Sequence, residues 1–293
     1  MHAAGHPDGD VSLGKTVADG SDVLLEYQHR DLGSAILGKS GTGKSSIMER
    51  LILSDLEQGR PALVIDPHGL LTDRIISGAP SADARDRIIL LEASLTGPFG
   101  LNLLATREPV DDDDDPVMWA ADSVVDTFKK LYGETDEFLP RLERYLHLAA
   151  RTLIPARGTV ADIPSLLEDA EFRSACISKV HSQSQRRGLQ RSWSSYEQLR
   201  PSDRATHIDP VVNRLEPVLS ASLMQGILGN PQTTVSFDAI LKGDAIMLVS
   251  PPFGENEQAA CRFYRVTAAV CISGSAVYPE SGTKPPPTAS LSG

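Results

Sequence analysis

The sequence of 293 residues predicts an α/β fold: a parallel sheet built around a phosphate-binding loop and interrupted by an all-α insertion. Three observations predict it. Residues 38–45 read Gly38-Lys39-Ser40-Gly41-Thr42-Gly43-Lys44-Ser45, the G-x-x-x-x-G-K-[ST] pattern of a P-loop. Continuous apolar runs at 62–65, 88–91 and 245–249 have the length and composition of buried strands, and helix-sized segments separate them. Such spacing implies βαβ units with helices on both faces of the sheet. Between the second and third runs, residues 117–228 read as helical, with no return to strand periodicity.

Residues 1–20 are polar and glycine-rich and read as a flexible N-terminus. Residues 23–27 fit an edge strand. Leu32 to Leu37 is an apolar run that ends at the loop, as a buried strand would. Behind the loop, Met48, Leu51, Ile52 and Leu56 recur at helical spacing, and Gly59 supplies the stop. This strand–loop–helix setting is the one a P-loop requires. Backbone N–H groups at Gly41, Thr42 and Gly43 form a concave anion nest, and the helix directs its positive end at the same place. Lys44 then neutralises the β- and γ-phosphates, the Ser45 hydroxyl ligates Mg²⁺, and Ser46 stands near the α-phosphate. The bland alternative is a glycine-rich turn with no ligand. ATP and Mg²⁺ are the cofactors the motif implies.

A nucleotide-binding core over 21–108 gives way at Pro109 to a helical insertion over 109–230. The acids Asp111 to Asp115 read as a solvated linker. Val124, Val125, Phe128 and Leu131 keep one apolar face, as do Leu142, Tyr145, Leu146, Ala149 and Leu153. Strand character returns over 231–275, with β-prone residues at 233–237, a turn at Gly243-Asp244, and the run ending at Val249. Ala259, Phe263, Val266 and Val270 form the face of a closing helix. The tail, 276–293, with Pro285-Pro286-Pro287, reads as disordered.

Asp66 follows the first apolar run, where strand carboxyl ends face the nucleotide. It is a candidate for the metal's outer shell, and equally for a cap on the next turn. Hydrolysis also needs an acid that orients water. Four apolar residues followed by Asp-Glu do not occur. Glu92 is the nearest imitation, and the run ending at Val249 leads into Ser250-Pro251-Pro252. On this reading, hydrolysis by the chain alone is slow or absent.

A net charge of −11 excludes a protein that coats nucleic acid with its whole surface, though not a local basic patch. The segment 179–204 is such a patch. Arg186, Arg187 and Arg191 lie beside Trp193, a mixture of cation and aromatic that suits single-stranded DNA. The alternative is an exposed basic helix face with Trp193 turned inward. Three widely spaced cysteines fit buried thiols better than disulfides or zinc. No apolar stretch is long enough to span a membrane, and no signal-peptide layout opens the chain, so the expected place is the cytoplasm, at the membrane through partners.

Residues 38–69, running from the P-loop into Asp66-Pro67-His68-Gly69, resemble the HerA/FtsK-like P-loop ATPases, and within them the TraG/TraD-like coupling proteins of type IV secretion and conjugation. Phe99-Gly100-Leu101-Asn102-Leu103-Leu104 is similar to the element that follows in that family, with Leu103 where proline is frequent. Pro210-Val211-Val212-Asn213-Arg214-Leu215 resembles the return to its sheet. The resemblance implies a RecA-like core, a homo-hexamer, and ATP-driven DNA translocation with secretion or conjugation partners. It leaves the arginine finger open among Arg214, Arg262 and Arg265. It also implies a downstream strand with an Asp-Glu pair, so the sequence reads as a truncated or frame-shifted motor gene, or the upstream half of a split one. A nucleotide-binding module without motor activity is the second hypothesis, and a small-molecule kinase the third.

Overall fold

The structure, a computed structural model, describes residues 10–30, 34–92, 99–106, 115–132, 139–234, 240, 245–250, 265–267 and 269. The chain divides into two compact units. Residues 1–92 and 239–251 form the first, and 93–238 and 252–293 the second.

The first unit opens with a two-stranded antiparallel ribbon, β1 (Val11–Lys15) and β2 (Asp22–Leu25). Its turn is tied by the Asp19 carboxylate. Thr16 Oγ1 donates to it, as do Ser21 Oγ at 2.7 Å and the Ser21 N–H at 3.1 Å. Those bonds, the Thr16 one first, hold the Asp19 carboxyl down at about 2. A short helix, α1 (Tyr27–Arg30), follows, and then α2 (Lys44–Glu57). Arg30 donates to the buried Asp55 carboxylate of α2 at 2.7 Å, and Arg60 lies 3.7 Å over the Tyr27 ring.

Among the described residues, three strands make the main sheet: β3 (Ala62–Ile65), β4 (Ile88–Leu91) and β5 (Ile246–Val249), in the order β3–β5–β4, all parallel. The register is flush, with Ile65, Val249 and Leu91 in one row. Between β3 and β4 come α3 (Leu70–Gly78) and α4 (Ala82–Asp86). Parallel strands covered on both faces need apolar residues at every position, and the Ile-Met-Leu-Val of β5 is wholly buried. One face of the sheet, carrying Val64, Ile88, Ile246 and Leu248, packs on Ile52 and Leu56 of α2, Leu71 and Ile75 of α3, and Ala84 of α4.

The buried strand expected at 32–37 does not form where it is described. Residues 34–39 lie outside any strand, and Leu37 is 91% exposed. Ser34 and Ala35 give this run little side chain to bury, and no described strand pairs with it. The edge strand expected at 23–27 is the ribbon strand β2, which stops at Leu25 because α1 begins at Tyr27.

The second unit is helical. Its elements are α5 (Pro116–Tyr132), α6 (Leu139–Leu153), α7 (Ile163–Glu168), α8 (Ala170–Ser178), α9 (Gln183–Glu197), α10 (Pro201–Leu219) and α11 (Ser222–Leu228). Asp115, last of the acidic run, caps α5 by accepting the N–H groups of Val117 and Met118. The other four acids lie outside the described residues, as do the turn at 243–244, residues 235–237 and the tail. Val266 of the expected closing helix is buried in helical residues 265–267; Ala259, Phe263 and Val270 lie outside the description.

The Phe99–Leu104 element belongs with the helices rather than the nucleotide core. Asn102 donates through Nδ2 to the Pro231 carbonyl at 3.1 Å, and its N–H reaches Thr233 Oγ1 at 3.0 Å. Gly100 is obligatory there, because a β-carbon would stand 1.9 Å from the Gln232 carbonyl oxygen.

Arg173 of α8 is the polar centre of this unit. It is buried, donates to the carbonyls of Leu166 (2.6 Å) and Leu167 (3.2 Å), and pairs with Glu197 of α9 at 2.8 Å. Trp193 and Tyr196 flank its guanidinium at 5.1 and 5.5 Å. Tyr196 donates to the Leu167 carbonyl, and Trp193 donates to Thr152 Oγ1, both at 3.0 Å. Tyr145 of α6 meets Tyr196 edge-on and shares a hydrogen bond with His207 of α10 at 3.0 Å.

Two predictions follow from this centre. Arg173→Ala strands two helix-end carbonyls and should cost about 2–4 kcal/mol. Urea unfolding read by tryptophan fluorescence measures it, since Trp119 and Trp193 both lie in this unit; a loss below about 1 kcal/mol contradicts the role. Burial pushes the Tyr145 and Tyr196 phenols above their ordinary value of 10.0, against smaller opposing effects of nearby arginines. The folded chain thus keeps protons that the unfolded chain releases above that pH. Their stabilisation is fully present below pH 10 and declines as pH rises through the folded values. Thermal melts from pH 8 to 11.5 should show the decline, and Phe replacements should flatten it.

Candidate functional site

The P-loop is shaped by its glycines. Gly41 and Gly43 have φ of +80° and +92°, the left-handed region that side chains avoid. Gly38 meets a different constraint, since a β-carbon there would lie 2.5 Å from Thr42 Oγ1. Thr42 closes the turn, its hydroxyl donating to the Lys39 carbonyl at 2.7 Å. Lys44 Nζ donates to the same carbonyl at 2.8 Å. Residues 38–43, Ser45 and Ser46 are exposed, and Lys44 is half-buried.

Helix α2 begins at Lys44 with Gly43 as its N-cap residue and no side chain capping its first turn. The first N–H groups of a helix have no partner within it. Here they open onto the loop, with the positive end of a 14-residue helix behind them. The cradle therefore fits a phosphate chain, and Ser45 and Ser46 stand in that first turn.

Asp66 lies one residue beyond β3 and is 6% exposed. Its Oδ2 accepts the N–H groups of Leu71 (2.8 Å) and Thr72 (2.9 Å), and its Oδ1 accepts that of His68 (3.2 Å). The carboxylate thus closes the start of α3. Of the two roles open to Asp66 in the sequence, capping has this geometry behind it. His68 is exposed and enters through its backbone.

Glu92 and Ser250 complete a row that sequence reading did not assemble. The Asp66 N–H donates to the Val249 carbonyl at 2.9 Å, and the Ser250 N–H to the Leu91 carbonyl at 3.2 Å. Asp66, Ser250 and Glu92 thus stand side by side at the carboxyl edge of β3, β5 and β4, with Ser250 3% and Glu92 5% exposed. The available signal was a shared pattern: four apolar residues and then one polar residue, three times over. Among the described residues no group of three His, Cys, Asp or Glu side chains converges as a metal cage. A P-loop Mg²⁺ needs none, since waters and phosphates fill most of its shell.

The basic segment differs from its DNA-stacking reading. Trp193 is 2% exposed and packed inside the helical unit, so its ring is not presented to bases. Arg186 donates through Nε to the Val180 carbonyl at 2.9 Å. What faces solvent is one side of α9, where Arg187 and Arg191, four residues apart, line an open concavity with Gln190, Ser194, Ser195 and Gln198. Arg214 and Arg265 both lie over the Tyr132 ring, at 5.7 and 5.9 Å, and Arg262 lies outside the described residues. Among the described residues no helix is long and apolar enough to cross a membrane.

No known protein family matches the chain, and no curated protein does. Among solved structures it is similar to VirB4 of Thermoanaerobacter pseudethanolicus, with a TM-score of 0.47 and 18% identity over 90% of this chain. The match spans 63% of the length of that protein.

The Asp66 cap yields a stability test. Asp66→Ala strands buried N–H groups and should cost about 1–2 kcal/mol, while Asp66→Asn keeps an acceptor and should cost roughly half as much. Chemical denaturation of the three proteins checks the order. Equal losses from both variants would show that charge, not capping, is what matters at this position.

Proposed function

We propose that the chain binds ATP with Mg²⁺ through residues 38–46. The observation that carries this is a complete P-loop set on an uncapped helix terminus, with glycine wherever the backbone turns left-handed or comes close. In this reading the backbone N–H groups of Gly41, Thr42 and Gly43, with those of the first turn of α2, hold the phosphates. Lys44 leaves the Lys39 carbonyl for the β- and γ-phosphate oxygens. Ser45 holds Mg²⁺, which neutralises charge between those phosphates. Ser46 meets the α-phosphate. Asp66, while capping α3, is the candidate for the metal's outer shell.

The use of the nucleotide is a second step of the proposal. The segments around the P-loop, Asp66-Pro67-His68-Gly69 and Asn213-Arg214 support a subunit of a DNA-moving motor of the TraG/TraD-like kind, acting as a hexamer with secretion or conjugation partners. Arg187 and Arg191 are the cations that α9 offers to a DNA strand. The rival is a nucleotide-binding module that never turns ATP over. It is favoured by the lack of an Asp-Glu pair after any described strand.

Equilibrium binding of a fluorescent ATP analogue with Mg²⁺ tests the first step. Lys44→Ala removes a charge-assisted contact worth about 2–3 kcal/mol and should weaken binding roughly 30- to 150-fold. Unchanged affinity would remove the P-loop from the site. The salt dependence of single-stranded DNA binding tests α9. Replacing Arg187 and Arg191 with Ala should lower the log–log slope by about 1.4; an unaltered slope takes this helix out of the DNA path.

A further inference from the structure

The ribbon of the first unit has two edges, and they are not protected alike. An unpaired strand edge invites pairing with another chain, and proteins blunt it with bulges, lysines and cover from other elements. β1 carries all three. Its register is broken by an extra residue between Ser12 and Gly14, Lys15 stands at its end, and Val11 is buried in a strand that packs against α2. β2 carries none of them. Asp22, Val23 and Leu24 are exposed and Leu25 is half-buried, in a strand with no lysine.

The turn shows where the backbone groups of β2 point. The Thr16 N–H donates to the Ser21 carbonyl at 2.8 Å, so Ser21 faces β1. Backbone groups alternate sides along an antiparallel strand. Those of Val23 and Leu25 therefore face β1, while the N–H and C=O of Asp22 and Leu24 point out of the ribbon. The Tyr27 N–H agrees with this alternation, since it donates to the Asp10 carboxylate at 3.1 Å, just before β1. Among the described residues no strand pairs with the outer edge of β2.

The side chains along this edge define what it can take. Leu24, 37% exposed, shares one face with Asp22, and Val23, 43% exposed, shares the other with Leu25. An added strand thus meets an exposed apolar side chain on either face. The charge is one-sided, because residues 10–26 hold Asp10, Asp19, Asp22 and Glu26 against Lys15 alone. A second copy would set these acids against themselves, and like charges across a strand pair are destabilising. A basic strand meets them with the opposite sign.

We propose that the outer edge of β2 docks an extended segment of a partner protein in which apolar residues alternate with lysine or arginine. The segment adds to the ribbon as its third strand. Hydrogen bonds to the backbone of Asp22 and Leu24 supply affinity, and Val23, Leu24 and the acids select the side chains. The added strand also extends a ribbon that is marginal as two strands. No P-loop residue takes part, so the site stands apart from the nucleotide reading.

The test uses the full chain and a fluorescent, end-blocked peptide of alternating lysine and valine. Anisotropy should show saturable binding, and amide hydrogen exchange should slow at Asp22 and Leu24. The same peptide methylated on its central backbone nitrogens keeps its charge and loses its donors, and should bind at least about tenfold more weakly. Leu24→Lys puts a guard on the edge and should weaken the unmethylated peptide by at least about tenfold. Leu70→Lys makes the same charge change at an exposed position on α3 and should leave affinity within about twofold. Equal binding of the methylated peptide reduces the contact to charge and overturns the proposal. So does a wild type that does not bind, or a Leu24→Lys variant that binds like wild type. Dimerisation in sedimentation that Leu24→Lys abolishes makes a second copy the occupant, and also overturns it.

Discussion

The first unit depends on one strand. Among the described residues β3 and β4 pair with β5 and not with each other, so neither has a sheet until residues 246–249 arrive. The helical unit is inserted in the chain between β4 and β5. Closing so long a loop costs entropy that the sheet must offset, although that cost grows only logarithmically with length. The composition of β5 answers this demand. It is apolar at all four positions, buried on both faces, and contributes to the core shared with α2, α3 and α4. The edge that carries Asp66 and Glu92 also exists only once β5 and its Ser250 lie between them. Site and fold share one long-range event, which is a slow kind of assembly for a parallel sheet.

The helical unit is stabilised by a different logic. Its polar centre is a buried cation. Arg173 ties the end of α7 to α8 and α9 through two carbonyls and Glu197, between two aromatic rings. Such a centre is costly to desolvate and stable only when every donor is used. Its stringency explains why Trp193 faces inward in a segment whose composition suggested an exposed aromatic. The indole has a defined acceptor in Thr152 and a cation above it. Composition alone does not reveal such a partner, because Thr152 and Arg173 lie far from Trp193 in sequence.

The readable parts were those encoded locally. The P-loop, the apolar runs that became β3, β4 and β5, and the apolar faces of α5 and α6 are consequences of neighbouring residues. The unread parts were set by partners distant in the chain. The apolar run before the P-loop is as apolar as a strand, yet Leu37 is exposed because pairing, not hydropathy, decides strand formation. Phe99–Leu104 read as part of the nucleotide-binding core over 21–108, while Asn102 finds its partners beyond residue 230. Asp115 looked like one acid among five and acts as a helix cap, a role visible in its position before Pro116. In the loop, the glycines that turn the backbone left-handed were legible one by one. The row of Asp66, Ser250 and Glu92 was not, because it depends on strand order.

The hydrogen bond from Lys44 to the Lys39 carbonyl sets a rule for what can enter the loop. Without a ligand the ammonium is already satisfied by a neighbour in its own turn. Binding there is an exchange of acceptors rather than the capture of an idle charge. A neutral ligand offers an oxygen no better than the carbonyl it must displace. An anion offers a charge-assisted bond roughly twice as strong. Any group that takes Lys44 from its own turn must therefore be a stronger acceptor than a peptide oxygen.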